Sequence, residues 1–309
     1  MINSPKIKVI GVGGSGSNAV SRMMKYKIKG VELIIVNADA QDLIKCQAHQ
    51  KIRIGKKITQ GLGTGMNPEI GRKAAEEQRE ELQQSLEGSD MIFITCGLGG
   101  GCGSGAAPVI AEIASGLGAL TLAVVTKPFY FEGGERKNIA ENSQRKLKEK
   151  VDTLISISND KLLSILDSNV TVANAFWFCD EILRQAVQGI SDLIVLPGII
   201  NINYADVKTI MKKSGSAHFG IGIASGEKRA EEAAKKALTS PLLDVFCKGA
   251  KGVLFNVSGG QDITLSEIDE VAKIITGEVA SGARIIFGAI KDEKLKKGEI
   301  KVTVIATGF

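Results

Sequence analysis

Histidine is scarce in this 309-residue chain, with only His49 and His218, which leaves almost no material for a multi-imidazole metal site or a Ser-His-Asp mechanism. Both read as surface or loop residues. Aromatic residues make up 5%, few for stacking bases. The formal charge of +5 is dispersed through stretches such as Lys146-Leu147-Lys148-Glu149-Lys150 and Lys291-Asp292-Glu293-Lys294. Interspersed charge is the mark of solvated surface, so no nucleic-acid partner is expected. The five cysteines (Cys46, Cys96, Cys102, Cys179, Cys247) are never in a CxxC spacing and read as reduced thiols, mostly in cores. No apolar run approaches the ~18 residues of a membrane span. Met1-Ile2-Asn3-Ser4-Pro5 leads straight into a strand, so no export signal is read there and the expectation is a cytoplasmic protein. GxxxxGKS or GxxxxGKT occurs nowhere, which excludes a P-loop.

What the chain has is clustered glycine. Cys96-Gly97-Leu98-Gly99-Gly100-Gly101-Cys102-Gly103-Ser104-Gly105-Ala106-Ala107-Pro108 follows the apolar Met91-Ile92-Phe93-Ile94 and precedes the helical Val109-Ile110-Ala111-Glu112-Ile113. A buried strand thus runs into a glycine loop that opens a helix. Glycines gather where the backbone takes positive φ or where a ligand must approach its N–H groups. Free N–H groups at a helix start, with the positive dipole end, favour phosphate. Pro108 is placed in the first helical turn, where no N–H partner is needed. Without a P-loop lysine, phosphates would rely on backbone N–H groups and a metal ion.

The rest of the chain repeats this theme. Strand Lys6-Ile7-Lys8-Val9-Ile10 leads to Gly11-Val12-Gly13-Gly14-Ser15-Gly16-Ser17-Asn18, whose Gly11, Gly13 and Gly16 fit GxGxxG, by itself a weak sign of a dinucleotide-binding turn. Strand Val31-Glu32-Leu33-Ile34-Ile35-Val36 ends at Asn37-Ala38-Asp39-Ala40. Asp39 suits ribose hydroxyls, a metal near the phosphates, or equally a helix N-cap. Gly61-Leu62-Gly63-Thr64-Gly65-Met66-Asn67-Pro68 is a third glycine loop, with a charged helix containing Glu76 to Glu81 after it. Strands alternating with helices up to about residue 157 predict an α/β, doubly wound, mostly parallel sheet, with the three loops converging at the carboxyl edge. Glu132 and Arg136 read as a surface ion pair. Val172, Phe176, Cys179, Leu183, Ala186, Val187, Ile190 and Ile194 recur at helical steps and predict one long core-facing helix. On it, Phe176 reads as a core aromatic and Asp180 as a solvated carboxylate. After it comes a smaller α+β block, giving a division into residues 1–171, a connecting helix at 172–196, and 197–309.

The central run resembles the tubulin signature GGGTGSG, and with the other motifs in order from Lys6 to Phe309 the chain resembles the tubulin/FtsZ family, on its bacterial cell-division side. The resemblance implies a GTPase binding GTP or GDP with Mg2+, which polymerises head to tail and works at the midcell division site. It makes Gly13, Gly14, Ser15, Gly16, Ser17 and Asn18 the first nucleotide loop, with Asp39 in the second and Thr64, Gly65, Met66 and Asn67 near the γ-phosphate. Gly99, Gly100, Gly101, Cys102, Gly103, Ser104 and Gly105 form the signature loop. Glu132 and Arg136 take the ribose side, Phe176 stacks on guanine, and Asp180 accepts from its N1–H and amino group.

The resemblance also implies that the loop before Val207 completes the active site of the next subunit. Its usual form is NxDxxD, and here it reads Asn201-Ile202-Asn203-Tyr204-Ala205-Asp206. Asp206 matches the second acid; Asn203 replaces the first. Hydrolysis is then expected to be slowed, with Asp206 polarising water and Asn203 and Asn201 orienting it. Cys102 replaces the usual threonine of the signature. Chains of the family continue beyond a strand like Ala306-Thr307-Gly308-Phe309 into a linker and a tether-binding peptide. Self-association is the partner the resemblance implies; membrane-tethering and division proteins are further candidate partners, although the usual tail is absent from this chain. Two alternatives stand beside this reading: a filament protein that binds GTP with little hydrolysis, and a dinucleotide-dependent oxidoreductase suggested by GxGxxG.

Overall fold

The structure is a computed structural model of the whole chain and is described for residues 4–163, 169–196, 198–239, 249–260, 262–292 and 295–309. Cys247, and Pro197, which the sequence places at the end of the long helix, lie outside the described residues. Contacts divide the chain into Met1–Gln188 and Gly189–Phe309.

The first unit runs β1 (Ile7–Val12), α1 (Gly13–Lys25), β2 (Val31–Asn37), α2 (Ala40–Lys45), β3 (Gln50–Arg53), α3 (Pro68–Glu77), α4 (Arg79–Leu86), β4 (Met91–Gly97), α5 (Gly101–Gly116), β5 (Leu120–Lys127), α6 (Gly134–Lys148), β6 (Thr153–Ser158) and α7 (Asn159–Leu163). Its strands lie in the order β3-β2-β1-β4-β5-β6, each pair parallel. β4 is a nearly unbroken apolar run with Met91, Ile92, Phe93 and Ile94 fully buried, as a parallel strand covered on both faces demands. Strand order reverses between β1 and β4, whose ends Val12 and Cys96 are paired. A crevice opens there, at the topological switch point. The doubly wound sheet is therefore as expected; β3, a four-residue edge strand with one buried residue, was too short to read in the sequence.

Two local details differ from expectation. The charged helix is two helices, broken at Gln78, whose buried side chain accepts the Gly55 N–H. Pro108 is not in the first turn of α5 but at its eighth residue. A proline there removes the N–H that would bond the Ser104 carbonyl four residues back. The Ser143 hydroxyl of α6 donates to that carbonyl at 2.7 Å instead.

Helix α8 (Val172–Val195) has the expected length, and the division between units falls within it. Its stripe is buried from Cys179 to Ile190, whereas Val172 is 65% and Phe176 40% exposed.

The second unit holds α9 (Tyr204–Met211), β7 (Gly215–Ser225), α10 (Arg229–Leu238), β8 (Gly252–Gly259), α11 (Leu265–Gly277), β9 (Arg284–Lys291) and β10 (Glu299–Thr307). Its order is β7-β10-β8-β9, with β10 antiparallel to β7 and β8, and β8 parallel to β9. Ala233, Ala234 and Ala237 of α10 are fully buried in its core. Arg229 at the start of α10 is paired with Asp262 and Glu267, each at 2.6 Å.

Candidate functional site

The three glycine loops of the first unit meet around one cavity of about 610 Å3, within the range of small-molecule sites. Its walls include Gly13, Gly14 and Ser15 from the β1 turn, Thr64, Gly65 and Met66 from the third loop, and Gly97, Gly100, Gly101, Cys102 and Gly103 from the β4 turn.

Helix termini decide the chemistry of this end. The first N–H groups of a helix need partners. In α2 the Asp39 carboxylate accepts the N–H groups of Gln41 and Asp42 at 2.9 and 3.0 Å, and in α3 the Asn67 side chain accepts from Glu69 and Ile70. In α1 and α5 the cap positions are Val12 and Gly100, and neither supplies a side-chain hydrogen bond. Two helix starts with no side-chain cap thus face one cavity, which suits a polyanion.

Glycine allows the close packing behind these termini. A Cβ on Gly16 would lie 2.4 Å from the Thr95 carbonyl oxygen, and one on Gly105 would lie 2.0 Å from that of Pro68. Here the structure corrects the reading of 99–105 as a loop: α5 starts at Gly101, so Gly101, Gly103 and Gly105 are helical and allow approach. Gly99, with φ +101°, makes the turn, and its N–H donates to Ser104 Oγ at 2.9 Å. Met66 also has a left-handed backbone, φ +64°, a strain often concentrated at functional loops.

Several expected residues lie outside the cavity wall. Ser17 is fully buried, Asn18 is exposed on α1, and Asn67 caps α3. Asp39 lines the cavity while capping α2. Asp42, not singled out in the sequence, lies beside it, and its carboxyl is raised by burial and by the nearby Asp39. Cys102 is at the wall, its thiol pushed up to about 11 by burial, so it is neutral at pH 7.

The other end is made of side chains. Glu132 accepts the Phe129 N–H at 2.9 Å and pairs with Arg136 at 3.1 Å; both line the cavity, so the ion pair is real and part of the wall. Phe176 lines it too, edge-on to Phe129 with centroids 5.3 Å apart. Asp180 is not among the lining residues and is buried, contrary to a solvated carboxylate. Ser15 Oγ donates to its Oδ1 at 3.3 Å, and Arg22 Nε lies 3.7 Å from its Oδ2. Burial pushes its carboxyl up to about 7, against the charge of Arg22 and the Ser15 hydroxyl.

Asn159 was missed in the sequence. It follows β6 as the first residue of α7, is 5% exposed, lines the cavity, and its Oδ1 has no hydrogen-bond partner. A buried amide oxygen without a partner is costly unless something supplies a donor. The readable signal was a polar residue at the carboxyl end of a parallel strand.

Asn201, Asn203 and Asp206 belong to the second unit. Asn203 caps α9, its Oδ1 accepting the Asp206 N–H at 2.8 Å, and Asn201 Oδ1 accepts the Gly198 N–H at 2.5 Å.

The model of the Tubulin/FtsZ family GTPase domain matches residues 6–167, and that of the FtsZ family C-terminal domain matches residues 215–309. Among solved structures the chain is similar to FtsZ of M. jannaschii, solved as an empty dimer, with TM-score 0.95 and 47% identity over 99% of this chain and 89% of that one. It is also similar to CetZ1 from Haloferax volcanii, a GDP-bound monomer, with TM-score 0.86 and 21% identity over 98% and 94% of the two chains. CetZ2 from Haloferax volcanii, a GTPγS-bound protofilament, gives TM-score 0.82 and 21% identity over 97% and 92%. At 21% these last two speak for the fold alone.

Proposed function

The chain belongs to the Tubulin/FtsZ family of GTPases, and from that premise we propose that it binds GTP in the cavity, hydrolyses it, and assembles head to tail into the filament of the division ring. One observation carries the nucleotide reading: two helix starts without side-chain caps face the same cavity as an exposed aromatic and a buried amide oxygen that has no hydrogen-bond partner. Phosphates sit on the N-termini of α1 and α5, the ribose lies by Glu132 and Arg136, and the purine lies on Phe176. The Asn159 oxygen accepts from the base, and Asp180 accepts from guanine N1–H and its amino group, a donor pair adenine lacks. The oxidoreductase alternative is left without support by the family.

Among the described residues no group of three His, Cys, Asp or Glu side chains could hold a metal. Mg2+ needs only one or two carboxylates beside substrate phosphates and water, and Asp39 and Asp42 fit that donor set. When bound there, Mg2+ neutralises charge on the phosphates.

Hydrolysis is completed by the next copy of the chain, whose Asp206 polarises the attacking water while Asn203 and Asn201 orient it. Self-association is supported by the dimer and the protofilament in which the M. jannaschii FtsZ and CetZ2 were solved. The place of action is the cytoplasm, at midcell. The amide at Asn203 favours a second reading, a filament that hydrolyses little, because an amide cannot bear the charge of the usual acid. Right-angle light scattering with phosphate release, after adding GTP and Mg2+, tests both. A rise that decays as GTP is consumed supports coupled hydrolysis; a lasting rise without phosphate supports the second reading; no rise removes head-to-tail assembly by this chain.

A further inference from the structure

Asp180 is held from the helix that also presents the phosphate turn. Ser15 and Arg22 are seven residues apart on α1, two turns, and so share a face. Ser15 Oγ addresses Oδ1 at 3.3 Å and Arg22 Nε addresses Oδ2 at 3.7 Å. On α8, Trp177 stands one turn before Asp180, and the Arg22 guanidinium carbon lies 5.0 Å from its ring centroid. The guanidinium is thus placed against both the carboxylate and an aromatic face. Its Nε is buried and, at 3.7 Å from Oδ2, within ion-pair reach of the carboxylate without a direct hydrogen bond. Tyr26, the C-cap of α1, carries Arg184 of α8 over its ring at 4.3 Å, a second tie between the helices.

We propose that Arg22 is a positioning residue for purine recognition: it keeps the Asp180 carboxylate charged and oriented as an acceptor, and couples base binding on α8 to phosphate binding on α1. The proposal rests on the guanine-nucleotide reading above. The other ionisable groups nearby are already engaged or neutral. Glu181 is paired with Arg184, Glu132 with Arg136, and the Cys179 thiol is pushed up to about 12 by burial. Arg22 is the cation facing Asp180, and the Ser15 hydroxyl is its hydrogen-bond donor. Both contacts are long, so the carboxylate oxygens retain capacity for two donors from a base. A protonated carboxyl keeps only part of that capacity and turns one oxygen into a donor that would face the donors of the base. Burial already favours the neutral form of Asp180, and loss of the cation favours it further.

The test is GDP binding to the full chain from pH 6 to 9, followed by the fluorescence of Trp177, the single tryptophan, and by equilibrium dialysis. Arg22→Met, which preserves an unbranched side chain for packing, is expected to weaken GDP binding roughly tenfold at pH 7, with the deficit shrinking toward pH 9 as the carboxyl ionises. Arg22→Lys is expected to restore most of the affinity. In an Asp180→Asn background the Arg22→Met change is expected to add little and the pH dependence to vanish. Wild-type affinity and profile in Arg22→Met overturn the proposal. So does an equal deficit at every pH that Arg22→Lys shares, which is the mark of a packing role alone. Failure of the wild-type chain to bind GDP would overturn the guanine-nucleotide reading itself, and this proposal with it.

Discussion

Where we propose that phosphates sit, the cavity is lined by the glycine turns and the starts of α1 and α5, and where we propose the base, by the side chains of Glu132, Arg136 and Phe176, so the two ends respond differently to substitution. The packing behind the first end is closed: Gly16 and Gly105 each have a carbonyl oxygen within 2.4 Å of where a Cβ would stand. At those two positions nothing can be added without moving a strand or a helix, whereas a Cβ on Gly100 at the wall would meet nothing within 4 Å. The other end is electrostatically loaded and less tightly filled, with Phe176 40% exposed at the wall and Asp180 buried beside the lining residue Ser15, held by two long contacts. On the proposed reading the first end therefore contributes to both folding and binding, whereas the second trades one against the other.

The largest expected effect breaks the phosphate end. Gly16→Ala sets a methyl against the Thr95 carbonyl and the Gly11 backbone, and should lower stability by about 3 kcal/mol or more, seen as a reduced urea midpoint.

Asp180→Asn sharpens the contrast from the other end. The folded carboxyl titrates near 7 and its ordinary value is 3.8. Below the ordinary value both folded and unfolded chains hold the proton, and the carboxylate costs nothing. As pH rises toward and through 7 the unfolded chain ionises first, so stability is lost over that window. The amide does not titrate. Asp180→Asn should therefore melt higher than wild type at pH 8, by roughly 2 kcal/mol, with the advantage disappearing near pH 4, while GDP affinity falls. Thermal melts at the two pH values check the sign.

Ser143→Ala is the smallest. It leaves the Ser104 carbonyl, freed by Pro108, without its 2.7 Å donor, and should cost about 1 kcal/mol in chemical unfolding. No change would mean that another donor reaches that carbonyl.

Legibility followed the same contrast. GxGxxG at Gly11, the 61–65 loop and the run ending at Gly105 are contiguous, and their strand-loop-helix pattern could be read locally. Their individual roles could not. Whether Asp39 reaches a ligand or caps α2, and whether Gly101, Gly103 and Gly105 form a loop or a helix, depends on what packs against them. Glu132, Arg136, Phe176 and Asp180 look like ordinary surface and core residues in isolation; only the resemblance to the family singled them out. Asn159 was passed over altogether.

The sequence by itself determined the parallel sheet, the glycine turns, the 24-residue helix α8 and the absence of a P-loop, because each is written in neighbouring residues through periodicity and backbone freedom. Tertiary structure alone decided the base end. Ser15 and Asp180 are 165 residues apart, and burial of an acid, its distance from Arg22 and the missing partner of Asn159 arise only when distant segments exclude water together. Solvation is a property of the assembled fold, and no stretch of chain carries it alone.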